Sequence, residues 1–420
     1  MLYYLSQFLQ EWGFSTARLL TYVSVRVGLT LIIALLITTV WGHKIIRRLQ
    51  KLQIGETIRD LGLEGQLSKK GTPTMGGIII IIAILIPTLL LARLDNVYII
   101  LMVLTTLIMG CLGFWDDYIK VFKKNKEGLD GRYKLIGQVA LGLIVGVTLY
   151  LHPAVVIKQN VSSYDEQGNK MVLFERIDKK CAQTTIPLSK NNDLDYTNFI
   201  PLGDGPTKTL LGWALFVGIT AFIVTAVSNG VNLTDGIDGL ASGTSAIVGV
   251  VLGILAYVSS HYGLAGYLNI MFIPGTEELA VFAAAFVGAT LGFLWYNSYP
   301  AQVFMGDTGS LTLGGIIGVF AVIIRKELLL PILCGVFLME ALSVILQVIY
   351  FRHTKRRTGT GKRLIRMSPL HHHYQKSAAS GIDCLWNKPA SALPEAKITM
   401  RFFLIGVILA VLTVVTLKLR

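Results

Sequence analysis

The chain has 420 residues, of which 53% are hydrophobic and only 15% are charged, and its formal net charge is +13. A soluble protein carries about 25% charged residues, so this composition excludes a soluble enzyme, a disordered chain and a disulfide scaffold. Nucleic-acid binding is not indicated, because no soluble module combines a Lys/Arg patch with stacking aromatics. In a membrane protein, positive charge more often marks cytoplasmic loops, and it can attract anionic lipids or phosphorylated substrates.

Long apolar blocks recur along the chain, and mean hydropathy is +0.61. A helix that crosses a bilayer needs roughly 20 apolar residues. The sequence therefore predicts an all-α polytopic membrane protein with about ten transmembrane helices, forming a single integral membrane domain over residues 1–420. The first block lacks a basic start and a cleavage site, which favours a retained helix over a signal peptide. The predicted spans are 19–41, 77–92, 97–115, 135–151, 210–231, 239–259, 279–298, 311–324, 328–350 and 399–417.

The sidedness of these spans follows from Lys and Arg counts. Connections after odd-numbered spans hold 23 of these residues, against 13 in the even-numbered connections and both termini. Seven of the 13 lie in the long segment 153–209, where seven Asp and Glu residues offset them. Because basic residues favour the cytoplasmic side, we expect the odd connections to be cytoplasmic and both termini to face outward.

The segment 153–209 is predicted to be an extracytoplasmic insert within the membrane domain. Its stretches 170–177 and 184–188 are typical of short strands. It lies on the opposite side from the polar motifs, so it bears on partners and assembly more than on chemistry.

Five aspartates fall at three predicted cytoplasmic helix ends. Taken singly, a pair such as Asp116 and Asp117 is as often a solvated helix terminus, Asp235 and Asp238 can form a turn, and Asp307 can be an N-cap. Together, beside nearly uncharged apolar segments, these carboxylates would repel one another without a cation. Mg²⁺ takes one or two protein carboxylates and shares substrate phosphates, so the grouping favours a magnesium-dependent site.

Other polar features lie on the same side. The triplet His371, His372 and His373 can donate hydrogen bonds to phosphate or sugar oxygens, or be a solvated loop; adjacent side chains rarely converge on one metal ion. The turn at 71–77 (GTPTMGG) can approach a phosphate through its backbone, or be a tight turn. Glu340 and Gln347 share one face of the ninth span, where an unpaired charge costs at least ~2.5 kcal/mol. For Glu340 the alternative to a functional role is an interhelical hydrogen bond.

In this order the motifs resemble the phospho-N-acetylmuramoyl-pentapeptide-transferase family, of the polyprenyl-phosphate N-acetylhexosamine-1-phosphate transferase superfamily. The resemblance covers most of the chain outside 153–209. It implies a ten-helix fold with outward termini, Mg²⁺ dependence, an undecaprenyl phosphate acceptor and a homodimer. In that family the ninth helix is often broken, which fits the polar face at 340–347. The motifs are residues 69–77, 114–117, 131–134, 232–239, 304–307 and 369–373.

Site roles are implied residue by residue. Asp307 resembles the magnesium ligand and Asp116 the proposed base, while Asp117 and Lys134 match positions close to the diphosphate. Asn232, Asp235, Asp238 and Phe304 match the nucleotide pocket. The cleft lining is matched by Lys69, Thr74, Asn297, Ser310, Gln347, His371, His372 and His373.

The implied reaction transfers phospho-MurNAc-pentapeptide from UDP-MurNAc-pentapeptide to undecaprenyl phosphate, releasing UMP, at the cytoplasmic face of the bacterial inner membrane. Membrane lipids are the expected surroundings. A sister GlcNAc-1-phosphate transferase shares the aspartate motifs and remains an alternative. A transporter or flippase is the alternative of another class. Transporters place ionisable residues near the midplane, whereas these aspartates lie at one face.

Overall fold

The computed structural model describes residues 1–52, 69, 71–125, 127–158, 160–164, 170–174, 179–187 and 193–418, and most of these are helical. The prediction of an all-α polytopic fold is confirmed. In chain order the helices are α1 (Leu2–Glu11), α2 (Val23–Leu36), α3 (Gly42–Lys51), α4 (Gly77–Leu91), α5 (Val97–Phe122), α6 (Gly131–Leu151), α7 (Pro206–Thr234), α8 (Leu240–Ser259), α9 (Tyr262–Leu268), α10 (Glu277–Asn297), α11 (Gly306–Ile323), α12 (Leu330–Leu333), α13 (Gly335–Thr358), α14 (Leu370–Gln375) and α15 (Glu395–Thr416).

Nine helices within the described residues are long and apolar enough to cross a membrane. The first of these joins α2 and α3 through a π-helical turn at Ile37–Trp41, giving one helix over Val23–Lys51. The second predicted span corresponds to α4, which has 15 residues and therefore rises about 22 Å, less than the hydrocarbon core of a typical bilayer. Each of the ten predicted spans thus contains an apolar helix, but one is short.

Two central helices, α10 and α11, are buried along most of their length. The first packs against α2, α4 and α8, and the second packs against α5 and α7. Small residues allow this close approach: a Cβ on Gly113 of α5 would collide with the backbone carbonyl of Asp307 at the start of α11. The crossing of α5 and α11 brings the predicted catalytic aspartates together.

The segment 153–209 forms two short antiparallel pairs, β1 (Asn160–Tyr164) with β2 (Lys170–Phe174), and β3 (Gln183–Thr185) with β4 (Asp193–Asp195). The predicted strands at 170–177 and 184–188 overlap β2 and β3, but 186 and 187 are not in a strand, and 175–177 and 188 lie outside the described residues. The segment is tied to the loop after α11, where Lys326 Nζ donates to Thr185 Oγ1 at 2.8 Å. Tyr196 also donates to Glu327 Oε1, at 2.9 Å.

Two helix boundaries differ from the prediction. The eighth span begins at Gly306 rather than 311, so Asp307 lies inside the first turn of α11 instead of preceding a helix. The ninth is interrupted at Cys334, between α12 and α13, and α13 is continuous across 340–347. The break implied for the ninth helix is thus present, at Cys334, while the polar face at 340–347 lies on the continuous helix α13. Glu340 is accommodated in a regular helix because its carboxylate finds a partner in a neighbouring segment.

Candidate active site

The carboxylates of Asp116, Asp117 and Asp307 meet where α5 crosses the start of α11. One oxygen from each lies within 4.8 Å of the others. Asp116 is fully buried, whereas the Asp307 side chain is 14% exposed. Asp307 is therefore the member of this trio that a substrate can reach most directly.

Two lysines bridge Asp116 and Asp307. Lys134 Nζ, in the first turn of α6, lies 2.9 Å from Asp116 Oδ1 and 2.6 Å from Asp307 Oδ2. Lys120 Nζ, one turn after Asp116 on α5, lies 2.6 Å from Asp116 Oδ2 and 3.1 Å from Asp307 Oδ2. The Leu129 N–H adds a 2.7 Å hydrogen bond to Asp116 Oδ1. Two ammonium groups thus neutralise two carboxylates that could not otherwise share a buried site.

Asp117 faces the N-terminus of α11. Its Oδ1 accepts the Asp307 N–H at 3.0 Å, and its Oδ2 accepts the N–H and hydroxyl of Thr308 at 2.9 and 2.6 Å. The first amides of a helix have no partner within the helix, and a carboxylate placed there satisfies them and complements the helix dipole. The N-cap interpretation of Asp307 is therefore wrong. Asp117, on a different helix, provides the capping carboxylate.

Asn232, near the end of α7, fixes the other face of Asp307. Its Nδ2 donates to Asp307 Oδ1 at 2.8 Å and to Ser310 Oγ at 2.9 Å. The two oxygens of Asp307 are thus distinguished, with Oδ1 held by an amide and Oδ2 held by the lysines. The structure brings Asn232 and Ser310 to the acidic cluster. From the sequence, Asn232 was expected in the nucleotide pocket and Ser310 in the cleft lining.

The turn at 71–77 pairs with the segment just before Asp307. Gly76 and Gly77 donate their N–H groups to the carbonyls of Phe304 and Met305 at 2.8 and 2.9 Å, and Phe304 N–H donates to the Pro73 carbonyl. These two glycine amides are thereby occupied and do not approach a phosphate. Thr74 is 6% exposed and lies within this pair of hydrogen-bonded segments. The pairing fixes the backbone that enters α11.

A second polar group surrounds Lys69. Its Nζ lies 2.6 Å from Asp238 Oδ1 and 2.5 Å from Glu395 Oε1, and about 6 Å from the Phe304 ring. Glu395 Oε1 also accepts the Asp238 N–H at 2.7 Å. Asn297 Oδ1 accepts the N–H of Gly239 at 3.1 Å, which ties this group to α10. Asp235 lies just after α7, part-buried, at the edge of the same segment.

The three predicted histidines lie on the short helix α14 and have three different sets of partners. His371 Nδ1 lies 3.2 Å from Glu340 Oε2, His372 Nδ1 is 2.6 Å from Gln375 Oε1, and His373 Nε2 is 2.7 Å from the Lys388 carbonyl. Burial, reinforced by the neighbouring His371, lowers the pKa of His372 to about 4. Burial also lowers the pKa of His373. The expectation that the triplet would not converge on one metal agrees with these divergent contacts.

Gln347 supports the loop that carries α14. Its Oε1 accepts the N–H groups of Leu364 and Ile365, both at 3.0 Å. These amides belong to β5 (Arg363–Ile365), which pairs in parallel with β6 (Cys384–Trp386). This acceptor oxygen is engaged with backbone. The predicted contact between Gln347 and substrate stays a prediction.

Comparisons of the sequence with known proteins cover the residues of this site. A family model described as glycosyl transferase family 4 matches residues 99–325, which carry Asp116, Asp117 and Asp307. The phospho-N-acetylmuramoyl-pentapeptide-transferase signature 1 matches residues 69–81. Proteins of that name from Porphyromonas gingivalis and Parabacteroides distasonis are 64% and 62% identical to this chain, and one from Bacteroides fragilis is 54% identical; each alignment covers 100% of both proteins. The chain belongs to the phospho-N-acetylmuramoyl-pentapeptide-transferase family.

Family membership identifies a membrane-embedded phosphoglycosyl transferase of peptidoglycan synthesis, and it gives the acidic cluster a chemical context. Asp116, Asp117 and Asp307 offer hard carboxylate oxygens, which suit a divalent cation that also binds phosphates. Asp117 is engaged by amides and Asp116 is fully buried beneath the lysines. Asp307 is the best placed of the three to hold a metal at the open side.

Three site residues were missed by the sequence analysis. Lys120 stands four residues after Asp116, and this helical spacing was an available signal for the pair. Glu395 and Thr308 carried no such signal, because their partners Lys69 and Asp117 are far away in the chain. Only the packing of α15 and α11 reveals them.

Proposed function

We propose that this chain transfers phospho-MurNAc-pentapeptide from UDP-MurNAc-pentapeptide to undecaprenyl phosphate, giving undecaprenyl-diphospho-MurNAc-pentapeptide (lipid I) and UMP. The observation that carries the proposal is the cluster in which Lys120 and Lys134 bridge Asp116 and Asp307 at one end of the membrane helices, in a chain of this family. Such a cluster can neutralise a diphosphate while remaining within reach of a lipid headgroup.

The surroundings of Lys134 suit a lipid acceptor. Leu135 and Ile136 follow it directly on α6 and are 49% and 63% exposed. A lipid phosphate at Lys134 can therefore continue into its hydrocarbon chain along the apolar side of α6. The donor is water-soluble and approaches from the loop side, where Lys69, Asn297 and the α14 histidines lie. The nucleotide and the lipid thus reach the cluster from different directions.

The proposed chemistry is a direct transfer. A phosphate oxygen of the lipid forms a bond to the β-phosphorus of the donor, the bond from that phosphorus to the bridging oxygen breaks, and UMP leaves with the electron pair. The acceptor is already an oxyanion, because a phosphate monoester has a second pKa of ~6. Asp116 then orients the acceptor or takes its last proton. Lys120 and Lys134 stabilise charge on the diphosphate, since phosphoryl transfer depends mainly on positioning and charge neutralisation.

Magnesium fits the Asp307 side of this site. When bound, Mg²⁺ would neutralise the diphosphate and polarise its oxygens. Asn232 holds Oδ1 of Asp307, so that Oδ2 stays directed at the lysines and the substrate space. Asp117 keeps the first turn of α11, and hence Asp307, in register with α5.

We also propose that the site faces the cytoplasm of a bacterial inner membrane and that the protein is a homodimer. The excess of Lys and Arg in the odd connections supports the orientation. All the clustered aspartates lie at that end of the bundle, where UDP-linked donors are available. The homodimer rests on the resemblance alone.

The proposal is tested by UMP release from purified protein in detergent with undecaprenyl phosphate and Mg²⁺. We expect release with UDP-MurNAc-pentapeptide and not with UDP-GlcNAc. Asp307→Asn should abolish it, and Asp204→Asn, which neutralises an exposed carboxylate outside the cluster, should not. Release with UDP-GlcNAc alone would identify a sister GlcNAc-1-phosphate transferase. Intact donor after incubation with wild-type protein would contradict transferase activity and favour transport.

A further inference from the structure

A cavity of about 550 Å³ lies at the end of the helix bundle opposite the acidic cluster. It is lined by the start of α2, the end of α8 and the start of α10, including Tyr22, Tyr257, His261, Phe272 and Glu277. The 20-residue helix α8 separates it from Asp238 by about 30 Å. Its volume falls within the roughly 300–1,000 Å³ typical of small-molecule sites. The proposed transfer reaction uses none of these residues.

Two adjacent glutamates at the start of α10 have different environments. Glu278 is fully buried and its two oxygens lie 2.6 and 2.7 Å from the Arg26 guanidinium. Glu277 lines the cavity and is part-buried, and within the described part of the chain no hydrogen bond or ion pair reaches its carboxylate. Among the described residues, none therefore pairs with the Glu277 carboxylate that lines the cavity. An anionic ligand would be repelled, whereas a cation would be attracted.

His261 adds a hydrogen-bond acceptor to the same cavity. Its Nδ1 lies 2.9 Å from the Tyr257 carbonyl. A carbonyl oxygen can only accept, so Nδ1 carries the proton, and in the neutral ring Nε2 is then an acceptor. The ring is held against Tyr257, with centroids 4.1 Å apart. Glu277 and His261 thus both line the cavity with groups that can accept hydrogen bonds, which suit a ligand with N–H donors.

Aromatic rings complete the lining. Tyr22 and Tyr257 are 51% and 36% exposed, and the faces of such rings attract organic cations. A carboxylate, an imidazole acceptor and two tyrosines match a primary ammonium group better than a metal ion, which would need several more oxygen ligands. The chemical class of the ligand is therefore an organic primary amine in its charged form.

The position of the cavity favours a lipid headgroup over a soluble amine as the source of that ammonium. It lies at the ends of membrane-spanning helices, where Tyr262 and Tyr267 are also exposed, and tyrosines concentrate at the level of lipid headgroups. A phospholipid presents its headgroup at this depth. We propose that the cavity binds the ammonium of a phosphatidylethanolamine headgroup in the leaflet opposite the acidic cluster. This inference does not depend on the transfer reaction.

The test uses the delipidated full-length protein in detergent, with retained lipids counted by native mass spectrometry. Equimolar phosphatidylethanolamine and phosphatidylcholine of matched chains are offered together. Wild-type protein should retain more phosphatidylethanolamine, because the quaternary ammonium of phosphatidylcholine has no N–H to donate. Glu277→Gln should reduce that preference roughly tenfold, as for the loss of one charge-assisted hydrogen bond. Asp204→Asn, which neutralises an exposed carboxylate away from the cavity, should leave it unchanged.

Tyr257→Leu is the second variant, since it removes a cavity wall without altering charge, and it should lower the retention of phosphatidylethanolamine. The unfolding midpoint of each variant without added lipid should match that of the wild type, which separates ligand loss from misfolding. Equal retention of the two lipids by wild-type protein, or an undiminished preference in Glu277→Gln, would overturn the proposal. If millimolar ethanolamine raises the unfolding midpoint and the protein shows no preference between the two lipids, the cavity binds a soluble amine. That result would contradict the lipid source.

Discussion

Glu340 and His371 form a fully buried pair in which the carboxylate Oε2 lies 3.2 Å from the ring Nδ1. The same oxygen accepts the backbone N–H of His371 at 3.4 Å. The far side of the ring faces Gly236, where any Cβ would collide with Nε2. The imidazole therefore joins α13 to the segment 232–239, and we expect Glu340 to act as a positioning residue.

We expect Glu340→Gln to raise the KM for the UDP-linked donor roughly tenfold and to change kcat less, because the His371 ring loses its 3.2 Å contact with a carboxylate. Steady-state kinetics with varied donor concentration measure this split. Ser343→Ala is the control, since among the described residues Ser343 Oγ donates to the Glu340 carbonyl alone. A fall in kcat and in the unfolding midpoint with an unchanged KM would show that the pair is merely structural.

Asp117 and Asp307 should give different phenotypes although both belong to the cluster. Asp307→Asn should lower turnover by orders of magnitude while the protein stays folded, and nucleotide affinity without metal should change little. Asp117→Asn should cost about 1–2 kcal/mol of stability, because its amide turns a donor toward the amides at the start of α11. Turnover and unfolding midpoints of both variants check this. Normal turnover in Asp307→Asn would remove Asp307 from the site.

The part-buried histidine His372 predicts a loss of stability in acid. Its pKa is lowered from 6.5 to about 4 by burial. Between these values the unfolded chain binds a proton that the folded chain does not, so the free energy of unfolding falls as pH decreases from about 6.5 towards 4. His372→Gln should flatten part of this dependence in unfolding midpoints measured from pH 7.5 to 4.5. The exposed His353→Gln should not, and equal slopes in both variants would contradict the assignment.

Orientation can be tested with single reporter cysteines at Asn125 and Ala378, in the two connections expected to be cytoplasmic. After Cys181 is replaced by serine, neither reporter should react with a membrane-impermeant thiol reagent in intact cells, and both should react after permeabilisation. Labelling of either one in intact cells would reverse the predicted sidedness.

Direct transfer predicts that no phosphoryl-enzyme forms. High concentrations of enzyme with donor and Mg²⁺, stripped of all lipid acceptor, should release no UMP. A burst of UMP stoichiometric with enzyme and lost in Asp116→Asn would establish a covalent route instead. If Asp116 acts as a base, the Asp116→Asn defect should shrink as pH rises, because the acceptor then ionises without help. Loss of a nucleophile would not be rescued in this way.

The membrane class, the approximate spans and the reaction type could be read from the sequence by itself. Hydropathy and charge asymmetry are properties of contiguous segments, so they can be evaluated without any knowledge of packing. The motifs, such as 232–239, are likewise local. They identified the family that the comparisons confirm.

The partners within the site were decided only by tertiary structure. Asp117 caps α11 across 190 residues of sequence, and Lys69 pairs with Glu395 across 326. Nothing local encodes such pairs, because they depend on how helices cross and on where glycines such as Gly113 let backbones touch. The same holds for Glu340. The sequence shows an acidic residue in an apolar run, and only the position of α14 shows that His371 is its partner.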